Sequence, residues 1–346
     1  MIMLTYGAAG VLLLLVILIA SRTLFRRGWY AAAFFVLLVG GGFVLFGRGA
    51  YGLTLFVLIP VFLGGLASWA FHPATRWRAA GVGALAVLAA LVAFLFAGRD
   101  GLICIAMAVP LAVPLGGLGG WLVYESRDSR RAARGGVAML LLLPPAGVTW
   151  DVRAKPPVFV VRSTIEIAAP PQTVWKYVPA FSEIPEPQEW FFRAGLAYPK
   201  LTRMEGAGIG ATRYCELSTG PVVESIEIWD EPRVLQFAVT ETPPPMVELS
   251  PYGRIFPKHL HGYMISKEGR FELTPLANGH TLLAGTSWYQ HGLWPAEYWR
   301  WWSDAIVHRV HLRVFNHIRG LAEGDFSRRP IANRPAGFNP APRVAR

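Results

Sequence analysis

Six apolar runs occupy the first 150 residues: Met3–Ala20, Trp29–Gly47, Tyr51–Phe71, Ala79–Ala97, Leu102–Val123 and Gly136–Trp150. None of them contains Asp, Glu, Lys or Arg. A helix needs about 20 mainly apolar residues to cross ~30 Å of hydrocarbon. In hydrocarbon the backbone must satisfy its own hydrogen bonds, which a helix does within one segment. Five of the runs reach or approach that length; the sixth is short and carries Pro144-Pro145. The first run lacks a basic flank and an A-x-A cleavage site, so it reads as an uncleaved helix rather than a signal peptide. The expectation is an α-helical transmembrane bundle of about six spans over residues 1–150.

Charge supports this reading. Residues 1–150 hold 11 Arg, no Lys, two Asp and one Glu, whereas residues 151–346 hold 22 Lys and Arg against 19 acids. The basic excess therefore lies between apolar runs, where it acts as a topology signal and not as a nucleic-acid surface. Arg22, Arg26, Arg27, Arg76, Arg78, Arg127, Arg130, Arg131 and Arg134 follow the odd-numbered runs; only Arg48 and Arg99 follow the others. That bias puts the odd-numbered loops in the cytoplasm. If the sixth run crosses, the remaining chain is extracytoplasmic; if it is re-entrant, that chain is cytoplasmic. The favoured reading is a multi-pass protein of a bacterial plasma membrane with its soluble domain outside. With no ionisable group in mid-run, an ion or proton path is disfavoured. Pro60, Pro110 and Pro114 are candidate kinks, and Gly116-x-x-x-Gly120 fits a small-residue packing face. The two cysteines, Cys104 and Cys215, suggest neither a disulfide framework nor a metal motif.

After a linker at Asp151–Pro157 the pattern changes. In Val158–Ile167, Val161, Ser163, Ile165 and Ile167 alternate with Arg162, Thr164 and Glu166, the period of a half-buried strand. Pro170-Pro171 ends the ladder and allows a helix to start, anchored by Val174, Trp175 and Val178. Phe181–Trp190 reads as a short helix or loop. Alternating strands follow at Leu201–Glu205, Thr212–Ser218, Val222–Trp229 and Val234–Thr240, with turns at Gly206–Gly210 and Asp230–Arg233. The glycine spacing at 206–210 is a turn rather than a phosphate loop, because no helix follows it. Thr242–Lys258 is proline-rich and reads as a lid, a binding loop or a disordered segment. A last hairpin, Gly269–Leu276 with His280–Tyr289, turns at Asn278-Gly279. Pro295–Ala322 is helical, with one stripe at Tyr298, Trp301, Ala305, Leu312 and Phe315 and another at Trp299, Trp302, Ile306 and Val310. Residues 324–346 read as a disordered tail.

This order, carried by IEIAAPPQTVW, GAGIGATRYCEL, ESIEIWDEPRVLQFAV and GRFELTPLANGHTLLAGTSWY, resembles the START-like (SRPBCC) superfamily, which includes polyketide cyclase/dehydrase and lipid-transport proteins. The resemblance implies an α+β helix-grip domain over residues 158–323. In that fold a curved antiparallel sheet surrounds a long C-terminal helix and encloses an apolar cavity. The apolar N-terminal half lies outside the resemblance.

Fold does not fix activity, so the chemistry must come from the site. His259, His261, His308 and His311 are the candidates for acid/base work, but no carboxylate at ligand spacing accompanies them and a metal site is not expected. Structural or ligand-orienting roles are the alternative. Glu224 and Glu227 fall on opposite faces of one strand. The one facing the concave side needs a partner such as Arg213 or Arg270; otherwise they form solvent-facing cross-strand pairs. Tyr214, Trp229, Phe237, Phe271, Trp288, Tyr289, Trp299 and Trp302 are assigned to the sheet–helix interior, either as core or, with Glu224, as a pocket lining. Trp294 and Trp301 are candidates for the membrane interface. No cofactor is implied, and no nucleic-acid partner. The leading expectation is a membrane-anchored domain that binds a lipid or other hydrophobic small molecule at the bilayer. A sensory or interaction module acting on the bundle or on a membrane-protein partner is one alternative; a cyclase or dehydratase is the other.

Overall fold

The computed structural model describes residues 52–126, 155–255 and 260–328, together with Gly147, Trp150, Asp151, Arg153 and Pro257. The runs expected at Met3–Ala20 and Trp29–Gly47, nearly all of Gly136–Trp150, and residues 329–346 of the expected tail lie outside the described residues. The described chain divides into two compact units. One holds the apolar helices together with Val247–His259 and Gly292–Glu297. The other holds Pro156–Met246, Leu260–His291 and the chain from Tyr298 onward.

Three of the expected spans are present as helices: α1 (Thr54–Phe71, opening with a π-turn at Thr54–Leu58), α2 (Arg76–Phe96) and α3 (Leu102–Glu125). Each is long and apolar enough to cross a membrane. Glycines line much of their contact, while many large apolar side chains are exposed, unlike a soluble bundle. Gly64, Gly65, Gly83, Gly116, Gly119 and Gly120 are buried, whereas Leu85, Leu102, Leu122 and Phe96 are exposed. A side chain at Gly64 or Gly83 would collide with the Gly116 carbonyl, so α1 and α2 both approach α3 at backbone distance there. Gly116→Leu is therefore expected to split the bundle. Size-exclusion chromatography of the detergent-solubilised variant should show loss of the monodisperse peak.

Asp151, read from sequence as linker, instead caps α1. Its Oδ1 accepts from Leu53 N at 2.7 Å and its Oδ2 from Thr54 N at 3.0 Å, satisfying donors that a helix start leaves open. Thr242–Lys258 is also not simply a loop. It contains a small hairpin, β6 (Glu248–Ser250) and β7 (Gly253–Ile255), which belongs to the helical unit.

The second unit is a curled antiparallel half-barrel with a long C-terminal helix. β1 (Val158–Ile167) is followed by α4 (Pro171–Trp175), α5 (Trp190–Arg193), β2 (Pro199–Glu205), β3 (Thr212–Leu217), β4 (Gly220–Asp230), β5 (Val234–Glu241), β8 (Met264–Pro275), β9 (Thr281–His291) and α6 (Ala296–Arg328). The seven-stranded sheet has the order β1-β9-β8-β5-β4-β3-β2. β1 pairs with β9 and not with β2, so the first and last strands of this unit lie side by side at one edge of the sheet. α6 runs past Ala322, the helix end expected from sequence, to Arg328.

The core lies between the concave face and α6. Ile167, Leu283, Leu235, Phe315, Ile318 and Ala322 are all fully buried, with Val174, Trp175 and Val178 of the α4 region beside them. Gly285 in β9 makes room for this packing. A Cβ there would stand 2.5 Å from Phe315 Cζ, so its absence lets the helix ring settle onto the sheet.

Candidate functional site

Strand periodicity puts Ser163 of β1 and Ser287 of β9 on the concave face. Val161 pairs with Ser287 and Ser163 with Gly285, so the two serines come from neighbouring strands one step apart. On α6, His308 and His311 are three residues apart and share a face. Together they form a string of hydrogen bonds. Ser163 Oγ lies 2.7 Å from His308 Nδ1 and 3.0 Å from His311 Nδ1, and Ser287 Oγ lies 2.8 Å from His311 Nε2.

Proton counting constrains this string. Ser163 Oγ carries one hydrogen, so it donates to one Nδ1 at most, and the other imidazole must donate to it. If Ser163 donates to His311, then His308 donates to Ser163 and His311 Nε2–H donates to Ser287. If Ser163 donates to His308, both His311 bonds reverse. The string thus has two self-consistent proton arrangements, running from exposed His308 to half-buried Ser287. Burial, reinforced by the neighbouring His308, holds His311 down to a pKa of about 4, so it is neutral near pH 7. Its ring also stacks on Phe315, with centroids 5.8 Å apart.

A histidine whose folded pKa lies below its unfolded value, about 6.5, leaves the folded state holding fewer protons than the unfolded state. Stability then rises with pH across that interval and is lost as pH falls from about 6.5 toward 4. The loss is expected to be on the order of 2–3 kcal/mol. His311→Asn should flatten this part of the melting temperature–pH curve, as followed by tryptophan fluorescence.

One turn earlier on α6, Tyr289 donates to Asp304 Oδ1 at 2.6 Å, and Arg300 Nε donates to Asp304 Oδ2 at 3.1 Å. Burial, and then the bond to Asp304, raise the Tyr289 hydroxyl pKa well above its ordinary value, so it stays protonated. Arg300 also lies over Phe159, 5.2 Å from the ring centroid.

A second polar group sits deeper. Arg213 and Glu224 are directly paired in the β3–β4 register and point into the core, 2% and 4% exposed. Arg213 Nη1 donates to Glu224, its Nε donates to the Pro179 carbonyl at 2.9 Å, and its guanidinium lies 5.2 Å from Phe237 and 5.5 Å from Phe271. Burial raises the Glu224 pKa, and the neighbouring Arg213 opposes that rise. Of the two partners considered for this glutamate, Arg213 is the one it takes; Arg270 pairs with Glu272 at 3.2 Å. Glu227 is exposed.

The aromatic assignments divide. Phe237, Tyr289 and Trp299 are buried, and Trp229 and Phe271 pack on the core. Trp302 is half-buried, and Trp301 is 66% exposed. Tyr214 and Trp288, expected inside, face the other way. Tyr214 lies under Arg203, 3.8 Å from its ring centroid, and donates to Glu205 at 3.2 Å. Trp288 pairs with exposed Val160. The reason is period 2: with Arg213 and Tyr289 pointing in, their strand neighbours Tyr214 and Trp288 must point out. Trp229 reaches the inner face because the β4–β5 register shifts between Ile226 and Ile228. Of the four candidate histidines, His308 and His311 are brought together. His261 is exposed just before β8, and His259 lies outside the described residues. Ser163 and Ser287 were not singled out from sequence as site residues, although the β1 alternation already placed Ser163 on the inner face.

Residues 158–289 match the family model for polyketide cyclase/dehydrase and lipid transport. No curated protein matches the chain. Among solved structures, a protein from Nitrosospira multiformis is 18% identical over 49% of this chain and 100% of its own, with a TM-score of 0.30. Norcoclaurine synthase from Thalictrum flavum is 11% identical over 49% of this chain and 96% of its own, with a TM-score of 0.31. The Zhui aromatase/cyclase from Streptomyces sp. R1128 is 18% identical over 48% and 94%, with a TM-score of 0.29. Likenesses at this level say nothing about activity.

Proposed function

We propose, from the match of residues 158–289 to the polyketide cyclase/dehydrase and lipid-transport family model, that the chain binds a hydrophobic small molecule or lipid in the seam between its sheet and α6, with the apolar helices as its membrane anchor. The observation that carries this reading is the unequal sealing of the seam. Around Val314, Phe315, Ile318 and Ala322 it is closed to solvent. One to two turns earlier, His308 is exposed and Val307, His311 and Ser287 are only partly buried. An apolar wall interrupted by a few converging polar groups is the usual form of a small-molecule site. Here the polar groups are two hydroxyls and two imidazoles whose donor and acceptor roles can reverse. They suit a ligand with one carbonyl or hydroxyl on an apolar body.

The reversible Ser287–His311–Ser163–His308 string favours a second reading, general acid–base chemistry on that ligand, with His311 as the neutral base. Binding is tested on the full chain in lipid nanodiscs with an apolar fluorophore bearing a hydroxyl. Wild type should bind it, and the His311→Ala, Ser287→Ala double variant should bind at least about tenfold more weakly, since two hydrogen bonds are lost. Equal affinity in both proteins rejects the site. Catalysis, if present, should fall in His311→Ala more than binding does.

A further inference from the structure

We propose that Asp100, Cys104 and Glu248 bind a divalent transition-metal ion of the zinc class at the N-terminal end of α3. This site lies wholly within the helical unit and is independent of the ligand seam. Asp100 and Cys104 are four residues apart across the first turn of α3, and Glu248 arrives from β6. One donor atom from each lies within 4.8 Å of the other two.

The residues are unlike an ordinary helix cap. Asp100 Oδ1 accepts from Gly101 N at 2.9 Å, and Glu248 Oε1 accepts from Cys104 N at 3.1 Å. One carboxylate satisfies a helix start; here two converge, and both are buried, at 7% and 0% exposure. Among the described residues, Glu248 Oε2 is buried with no hydrogen-bond partner. It lies over Gly101, where any side chain would collide with it. Two buried carboxylates this close repel each other, and the helix dipole offsets only about half a charge. A divalent cation would neutralise them and occupy the open lone pair of Glu248. The soft thiolate beside two oxygens selects zinc-like ions over magnesium or calcium. On binding, the Cys104 thiol loses its proton to solvent and the sulfur coordinates the ion. Three protein ligands leave a fourth position for water. Such an ion would fasten the β6–β7 hairpin to α3. Sequence does not reveal this, because Glu248 is 144 residues from Cys104.

The test uses the untagged full chain in detergent, stripped with chelator and titrated with Co2+. A thiolate-to-cobalt charge-transfer band at one ion per chain, displaced by Zn2+, is expected. Cys215→Ala should retain the band, since Cys104 is then the sole remaining thiol. Cys104→Ser should lose the band, and Glu248→Gln should weaken affinity by about tenfold or more. At equal concentration Zn2+ should also raise the melting temperature of wild type more than that of Glu248→Gln, which separates ligand loss from misfolding. Absence of the band in wild type, or its persistence in Cys104→Ser, overturns the proposal.

Discussion

Arg213→Met is expected to destabilise the sheet domain by about 3–5 kcal/mol, because it leaves Glu224 charged and unpaired in the core. The substitution keeps an apolar side chain between Phe237 and Phe271, so the loss reports the missing charge and hydrogen bonds more than a cavity. It also frees the Pro179 and Val178 carbonyls that Arg213 holds. The effect should depend on pH. Without Arg213, only burial acts on Glu224, so its folded pKa rises further above the unfolded value of about 4.3. The folded state then binds a proton that the unfolded state releases, and stability falls as pH rises above that value. The deficit of Arg213→Met should therefore shrink in acid and grow toward neutrality. Chemical denaturation at two pH values, read by tryptophan fluorescence, checks both sign and size. The double variant Arg213→Met, Glu224→Leu should recover much of the loss, since replacing a whole buried pair is often close to neutral.

Phe315→Ala is expected to cost about 3–5 kcal/mol, the usual range for truncating a buried phenylalanine. Phe315 is fully buried, sits over Gly285, packs against Phe271 and stacks on His311. Its removal should therefore also disturb the imidazole string. Gly285→Ala tests the same contact from the other side. Its Cβ needs space that the ring occupies, so either α6 moves or the strand does. Both variants should lower the melting temperature; fluorophore binding should weaken in Phe315→Ala even where the protein is still folded.

Much of this architecture was legible in the chain. Period-2 alternation in Val158–Ile167 identified β1 and its inner face, and Pro170-Pro171 marked where it ends. Asn278-Gly279 located the β8–β9 turn. Local pattern determined those features, so local reading reached them. The pairing of Glu224 with Arg213 was also within reach, as the inward member of a strand's two acids needs a cation. What local pattern could not supply was the partner across space. The β1–β9 pairing brings Ser163 beside Ser287, although they are far apart in sequence, and the return of α6 brings the histidines onto both. Aromatic character alone puts Tyr214 and Trp288 inside, but alternation overrides it: Tyr289 inside requires Trp288 outside. Similarly, the proline content of Thr242–Lys258 suggested a loop, while three-residue strands are too short to leave a periodic signal.

The most direct test of ligand binding in the sheet–helix seam is mass spectrometry of organic extracts from the full chain purified from cells. The comparison is with Ser287→Trp, which fills the seam, after its melting temperature has shown it to be folded. Wild type is expected to yield one class of apolar molecule at near-stoichiometric amount that the variant lacks, with bulk phospholipid equal in both. Identical extracts from the two proteins would contradict the account.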